Sequence, residues 1–409
     1  MITDSLWEFC TAGKIKFGDG AVEEAGGEAK RLGGSRILVI TDRGVAKAGL
    51  ADKIKSSLEK ENLEVNVFDD VQPDPPLQVY SDCLTYARQH ENDLVVGLGG
   101  GSSMDVAKVT AALLTQGGEP LDYVAKPTGE GLPVRKGLPN IAVPTTSGTG
   151  SEVSPVAVIT LPEKELKVGI SNNYIRPDVA LVDPLMTVTV PPLVTASTGM
   201  DALAHAIEAY TTRRYDCRLR PERPEDRPVY TGGNILTDSI ATTSIRLIAT
   251  YLRRAVNNGY DLESRRGMSL ASLCAGIAFT NAGLTAVHAM SMGIGAKYHM
   301  AHGVTNALLL PYVMEYNAPS NFERFAKVAE LMGENVESLS AREAAMKSVS
   351  AVRALAQDID IPQHLSGFGA KAEEIPALAE ASMKLERLIV CNPRKITTED
   401  LQEIFRRAL

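Results

Sequence analysis

Short runs of β-branched and aliphatic residues recur through the first half of the chain, at positions 37–41, 65–68, 94–98, 141–143, 156–160 and 179–182. Several are apolar without interruption, the pattern of strands covered on both faces. Between the early runs lie stretches with apolar residues at helical spacing, over 46–61, 77–90 and 103–115. Strand, helix, strand in repetition predicts a parallel sheet with right-handed crossovers. After Pro191-Pro192 the strand-like pattern nearly disappears. Helical periods rich in Ala, Leu, Met and Glu take over, at 196–210, 237–256, 268–278, 286–297, 321–332 and 341–357. The pattern predicts an α/β domain over residues 1–190 and an all-helical domain over 191–409, with the active site in the cleft between them.

Composition narrows the classes. The chain has 409 residues, 44% of them hydrophobic, which is enough for sizeable cores and too many for a disordered chain. Acidic residues outnumber basic ones and the formal net charge is −8, so no nucleic-acid partner is expected. No apolar run approaches the ~20 residues of a membrane span, and the N-terminus lacks the basic-then-apolar order of a signal peptide. Five scattered cysteines, odd in number and without a C-x-x-C pair, support neither a disulfide framework nor a thiolate metal site. A reducing, cytoplasmic setting away from membranes is the expectation.

Candidate chemistry begins at the third apolar run, which leads into Gly99-Gly100-Gly101-Ser102-Ser103. Three glycines and a hydroxyl opening a helix suit a pyrophosphate: backbone approaches closely, N–H groups point outward, and the helix dipole favours an anion. The strict G-x-G-x-x-G order fails at Ser102, and a tight strand–helix turn would also call for glycine. Asp42 follows the first run, at the carboxyl end where open α/β sheets bind ligands. A carboxylate there can accept from both ribose hydroxyls and repels a 2′-phosphate, which favours NAD over NADP. The stretch Pro144-Thr145-Thr146-Ser147-Gly148-Thr149-Gly150-Ser151 follows another apolar run; it suits either phosphate and ribose contacts or an ordinary Ser/Thr turn.

Of only six histidines, three lie between 288 and 302. Asp201 and His205, four residues apart, would share one helix face with Cβ atoms about 6 Å apart, close enough to share an ion. His288 and His302 would stand roughly 21 Å apart on one unbroken helix, too far for one metal. The glycines at 293, 295 and 303 allow the chain to turn so that two successive helices converge. An Asp with three neutral imidazoles suits Fe²⁺ or Zn²⁺ and leaves positions open for substrate; isolated histidines in core or surface roles are the bland alternative.

Taken together, GGGSSMDVAK, PTTSGTGSE, GMDALAHAIEAY and HAMSMGIGAKYHMAHGVTNALLLP resemble the iron-containing, or group III, alcohol dehydrogenases. The likeness runs from KIKFGDGAVEEAG near the start to NPRKITTEDLQEIFRRAL at the end, with motifs of both domains in order. It implies a dehydroquinate synthase-like fold: an N-terminal α/β dinucleotide-binding domain with a parallel sheet, then an all-helical metal-binding domain. It implies reversible hydride transfer between an alcohol and NAD(H), with Asp201, His205, His288 and His302 as ligands of a catalytic Fe²⁺, Zn²⁺ being possible. Its cofactor positions fall on Asp42, Asp74, Gly99, Gly100, Gly101, Ser102, Thr145, Thr146, Thr149 and Lys167. A small-molecule alcohol or aldehyde is the expected partner, and relatives are commonly dimers or larger.

Two features depart from the resemblance. Many relatives carry a proton-relaying histidine four residues after the third ligand, where this chain has Met292, which cannot transfer a proton. His299 is the nearby substitute, with a surface role as the alternative. Between 213 and 233, six arginines lie among Pro221, Pro224 and Pro228. This segment is either a solvated loop or a carboxylate- or partner-binding element, and it resembles the hydroxyacid–oxoacid transhydrogenase branch, whose NAD stays bound.

Overall fold

The computed structural model describes residues 5–164, 166–298 and 300–409. The chain divides into two compact units, one of residues 10–190 and one of residues 191–409 joined by the described residues before Cys10. That N-terminal stretch is tied to the second unit by Arg227, which pairs with Glu8 at 3.2 Å and donates to the Leu6 carbonyl.

The first unit is built on β1 (Lys14–Phe17), β2 (Arg36–Ile40), β3 (Glu64–Phe68), β4 (Leu94–Gly99), β5 (Asn140–Pro144), β6 (Val156–Leu161), β7 (Leu166–Ser171) and β8 (Val179–Val182). Its helices are α1 (Ala25–Arg31), α2 (Arg43–Lys47), α3 (Leu50–Lys60), α4 (Leu77–Gln89) and α5 (Gly101–Gln116). Six strands form one parallel sheet in the order β1-β8-β5-β4-β2-β3. Ile37 and Val39 of β2 pack towards α1 and α3, whereas Leu38 and Ile40 pack towards α4 and α5, so the alternating side chains bury both faces. From β2 the chain steps to β3 on one side, then crosses back to place β4 on the other. This order reversal opens a crevice between the carboxyl ends of β2 and β4.

The parallel sheet and its crossover helices agree with the sequence pattern, with two differences. The run at 156–160 is β6, but it pairs antiparallel with β7 in a separate hairpin packed on the α4 and α5 side. Only 11 residues (145–155) separate β5 from β6, too few for a helical crossover, so this strand cannot join the parallel sheet in sequence. The helix expected over 46–61 is two, α2 and α3, parted at Gly49, whose φ of +73° lies in the left-handed region.

The second unit comprises α6 (Pro192–Thr211), α7 (Ile235–Asn257), α8 (Leu262–Ala282), α9 (Ala286–Tyr298), α10 (His302–Asn317), α11 (Phe322–Leu331), α12 (Ala341–Asp358), α13 (Ile375–Met383), α14 (Glu386–Ile389) and α15 (Thr398–Ala408). Proline in its first turn starts α6, where the missing N–H costs nothing. This helix is then buried on nearly every side. Such a position demands apolar residues all round, and three ionisable side chains stand out against that rule: Asp201, His205 and Glu208. No single helix among the described residues is long and apolar enough to cross a membrane.

Candidate active site

Asp201, His205 and Glu208 follow one another at i, i+4 and i+7, which places all three on one face of α6. His288 stands in the first turn of α9 and His302 opens α10. The two histidines are brought together because α9 ends at Tyr298 and a new helix starts at His302. Gly293 and Gly295 lie inside α9 and make no turn, contrary to their expected part in the convergence. Gly303 contributes by its size: a methyl group there would stand 2.3 Å from the Ser197 carbonyl and 3.4 Å from the Asp201 Cβ, so only glycine lets α10 begin against α6.

The carboxylate and the imidazoles of these helices converge. One ligand atom each from Asp201, His288 and His302 lies within 4.8 Å of the others, an arrangement that can hold a metal ion. Asp201 Oδ1 stands 3.7 Å from His288 Nε2, 4.0 Å from His302 Nε2 and 3.9 Å from His205 Nε2. Ligands bound at about 2.1 Å in a tetrahedron are about 3.4 Å apart, so a small contraction would complete the site. The His205 ring is stacked between those of Phe279 and His288, with centroids at 4.3 and 4.7 Å. Burial opposes ionisation of Asp201, but the three imidazoles and an amide outweigh it and hold the carboxyl below its ordinary range.

Two residues not singled out from the sequence complete the cluster. Glu208 accepts hydrogen bonds from the Val287 N–H at 2.9 Å, the Thr285 N–H at 3.1 Å, the Thr285 hydroxyl and His288 Nδ1. With Nδ1 held as the donor, His288 presents the lone pair of Nε2 to the cluster. Asn306 is fully buried one turn into α10, its Nδ2 at 2.7 Å from Asp201 Oδ1, 3.0 Å from His288 Nε2 and 3.1 Å from His302 Nε2. Its Oδ1 is buried without a partner among the described residues. One carboxylate and the imidazole nitrogens form a donor set suited to a divalent first-row ion, and the Asn306 amide nitrogen faces the same three ligand atoms. Glu208 is seven after Asp201 on the same face, and Asn306 four after His302, but spacing alone does not separate them from solvated helix residues.

In the sheet unit, Gly99 ends β4 with φ +147°, a conformation that L side chains rarely adopt. A methyl group on it would lie 2.6 Å from Ser103 Oγ and 3.5 Å from Asp42 Oδ2, so Asp42 borders the turn across the β2–β4 crevice. Asp42 Oδ1 caps α2 by accepting from the Gly44 and Val45 N–H groups at 2.8 and 3.0 Å, and Oδ2 faces Gly99. Gly100 is the N-cap of the 16-residue α5 and gives it no side-chain cap, which leaves the first-turn N–H groups to an anion. Ser102 lies in that first turn. The hydroxyl-rich loop closes over the turn: the Thr145 N–H donates to the Gly99 carbonyl at 2.9 Å, Thr146 Oγ1 stands nearest Gly100, and Thr149 packs on Gly101.

Asp74 and Lys167 form a second group. The Thr160 N–H of β6 donates to the Pro75 carbonyl at 3.0 Å, Pro76 lies opposite Thr160, and Thr160 is in register with Lys167 on β7. This brings Asp74, at φ +50°, to 2.6 Å from the buried Lys167 ammonium. Thr41 Oγ1, Ser103 Oγ and Thr160 Oγ1 are buried without partners among the described residues. Unsatisfied hydroxyls, a bare helix N-terminus and a glycine cradle fit a ligand carrying phosphate and ribose groups.

Two other expectations concern the helical unit. Met292 is half-buried against the apolar cluster of Tyr230, Phe279 and Leu388, so this position offers no proton. His299 lies outside the described residues. In the 213–233 segment, Arg214 pairs with Asp216, Arg223 with Asp226 and Arg227 with Glu8, and Arg218 donates to the Tyr230 carbonyl and to Cys391 Sγ.

A doubly covered parallel sheet with a bare glycine turn, followed by helices that bury a carboxylate among histidines, defines a two-part oxidoreductase of the metal-containing type. The chain belongs to the iron-containing alcohol dehydrogenase family. The family model "Iron-containing alcohol dehydrogenase" matches residues 12–184, and "Fe-containing alcohol dehydrogenase family, C-terminal" matches residues 229–409. Long-chain-alcohol dehydrogenase 1 of Geobacillus thermodenitrificans is 40% identical over 96% of this chain and 94% of its own. The mitochondrial hydroxyacid-oxoacid transhydrogenase of Rattus norvegicus is 34% identical over 100% of this chain and 90% of its own. Among solved structures, that of a 1,3-propanediol oxidoreductase superposes with a TM-score of 0.90 at 39% identity, covering 99% of this chain and 100% of that one.

Proposed function

We propose that this enzyme transfers hydride between a primary or secondary alcohol and NAD, reversibly, with a divalent ion, Fe²⁺ or alternatively Zn²⁺, at the buried cluster. The observation that carries the reading is the convergence of Asp201, His288 and His302 beside His205. These four side chains would hold the ion, with Glu208 fixing the His288 ring and Asn306 holding Asp201 Oδ1. When bound, the ion would supply Lewis acidity towards the substrate hydroxyl and the dinucleotide would supply the hydride acceptor.

The protein's share is binding, orientation and charge. Gly99, Gly100, Gly101 and Ser102 would receive the pyrophosphate at the start of α5, with Thr145, Thr146 and Thr149 closing over it. Asp42 Oδ2 is placed to accept from a ribose diol and to repel a 2′-phosphate, which supports NAD over NADP. Asp74 and Lys167 would bind the second ribose. Phe279 covers one face of His205 and keeps that side of the cluster apolar. Because Met292 carries no proton, proton release does not follow the route of relatives with histidine there. We read the chain as a cytoplasmic homo-oligomer, a reading supported by five free cysteines and by the family likeness.

The test is metal analysis with an NAD-reduction assay over a panel of small alcohols, including His288→Ala and His302→Ala. Both variants should lose the metal and nearly all turnover. A metal-stripped enzyme with full activity would refute the Lewis-acid role. The full-length match to a transhydrogenase supports a second reading, hydride exchange between a hydroxyacid and an oxoacid through NAD that stays bound. Turnover of that pair at a rate independent of added NAD would select it.

A further inference from the structure

Lys108 is the most deeply buried cation of the sheet unit, with its side chain entirely inaccessible, and it belongs to neither group of cofactor candidates. Burying an ammonium costs several kcal/mol unless every proton finds an acceptor. Its Nζ lies 2.8 Å from Asp105 Oδ1, donates to Ser151 Oγ at 2.7 Å and donates to the Val156 carbonyl. Ser151 in turn donates to Asp105 Oδ1 at 2.6 Å, and Asp105 Oδ2 accepts from the Val158 N–H at 2.9 Å. Three segments therefore meet at one ion pair. Helix α5 begins at the glycine turn, Ser151 ends the hydroxyl-rich loop, and Val156 and Val158 belong to the hairpin that carries Lys167.

Packing alone does not call for such an arrangement, because apolar side chains of similar volume commonly replace a buried ion pair with no loss of stability. Hydrogen bonds of fixed length and direction do what packing cannot: they set the separation of the three segments. The geometry points to Asp105 and Lys108 as positioning residues that hold the glycine turn, the hydroxyl loop and the Lys167 hairpin in register for the dinucleotide. This rests on the cofactor reading above and adds to it two residues that need not touch the ligand.

The experiment compares wild type, Lys108→Met, the double variant Asp105→Leu with Lys108→Met, and Ser151→Ala, each as full-length protein. Binding of NAD and of ADP-ribose is measured by calorimetry, alongside thermal melting and metal content. Lys108→Met should melt earlier, because it leaves the largely covered Asp105 carboxylate, 13% exposed, without its cation. The double variant should regain most of that stability, yet bind NAD and ADP-ribose about ten- to a hundredfold more weakly. Its KM for NAD should rise by a similar factor, while metal content and kcat at saturating NAD hold. Ser151→Ala, which removes one hydroxyl and no charge, should weaken NAD in the same direction and serves if the double variant does not fold. A stable double variant or a Ser151→Ala protein that binds NAD like wild type overturns the positioning role. A wild-type protein that binds neither NAD nor ADP-ribose overturns the cofactor reading itself.

Discussion

His288 offers Nε2 to the cluster only while Nδ1 is held as a donor, and the group that holds it is the Glu208 carboxylate. Both carboxylate oxygens are committed: one accepts from Thr285 and Val287, the other from the imidazole. An amide has one acceptor oxygen and a donating nitrogen, so glutamine must set donor against donor on one side or the other. Glu208→Gln should therefore weaken metal binding by about ten- to a hundredfold while leaving NAD binding unchanged. Titration against a competing chelator measures this, and an unaltered metal affinity would show that His288 needs no such support. Asp201, His205, His288 and His302 were legible as residue types at suggestive spacings, joined by the family likeness. Glu208 and Asn306 were not, because acidic and amide residues on helices are ordinarily solvated. Only burial within α6 and α10 shows that these two are partners of the cluster. Asp42 has a part that the sequence did not show: Oδ1 caps α2, which leaves Oδ2 for the proposed ribose contact.

Some elements were readable from their pattern and others were not. The strands at 37–41, 94–98, 141–143 and 179–182 reappear as β2, β4, β5 and β8 because both-face burial leaves apolar runs, whereas 65–68 reappears as the partly exposed edge strand β3, whose apolar residues alternate with Asn66. Helix α10 had no stripe to find: it is apolar nearly all round and contains Pro311, although it delivers His302 and Asn306. Strand β1 was hidden by its charges, since in Lys14-Ile15-Lys16-Phe17 the lysines occupy alternate positions. They are matched by Glu28 of α1, itself a helix obscured by Gly26 and Gly27. Glu28 is buried and pairs with Lys14 at 2.7 Å, Lys16 at 2.6 Å and Arg31 at 2.7 Å. Burial pushes its carboxyl upward, but the hydrogen bonds from these three cations prevail and hold it at about 2, below the ordinary 4.5. A lowered acid contributes stability above its unfolded pKa and loses it as the pH falls towards the folded one. The three cations are partly exposed, which reduces the contribution to about 1–2 kcal/mol. Glu28→Gln should be less stable than wild type by that amount at pH 7, with the deficit shrinking as the pH drops from 4.5 towards 2. Urea midpoints across that range test it; a deficit that is constant with pH would mean that the pairing is not its source.

At the scale of the whole molecule, the two sets of candidate residues belong to different compact units. All four proposed ligands lie in the helical unit, and all ten cofactor positions in the sheet unit. A ligand that binds only the folded form stabilises what it touches by RT ln(1 + [L]/Kd), about 4 kcal/mol at a thousandfold excess over Kd. Local opening is suppressed most where the ligand ties separate segments together. The ion would join α6, α9 and α10, whereas the dinucleotide would join the β4–α5 turn, residues 145–151 and the β6–β7 hairpin. Hydrogen exchange followed in four states (stripped, metal alone, NAD alone, both) should then show metal slowing exchange around 201–208, 286–290 and 302–306. NAD should slow exchange around 97–105 and 145–158, and each pattern should already be present without the other ligand. The Lys108 clamp adds a finer expectation, that protection by NAD reaches β6 and β7 together with the glycine turn, because one ion pair holds them in common. An ion that protects only the sheet unit, or NAD that protects only the helical unit, would reverse the assignment of the two sites.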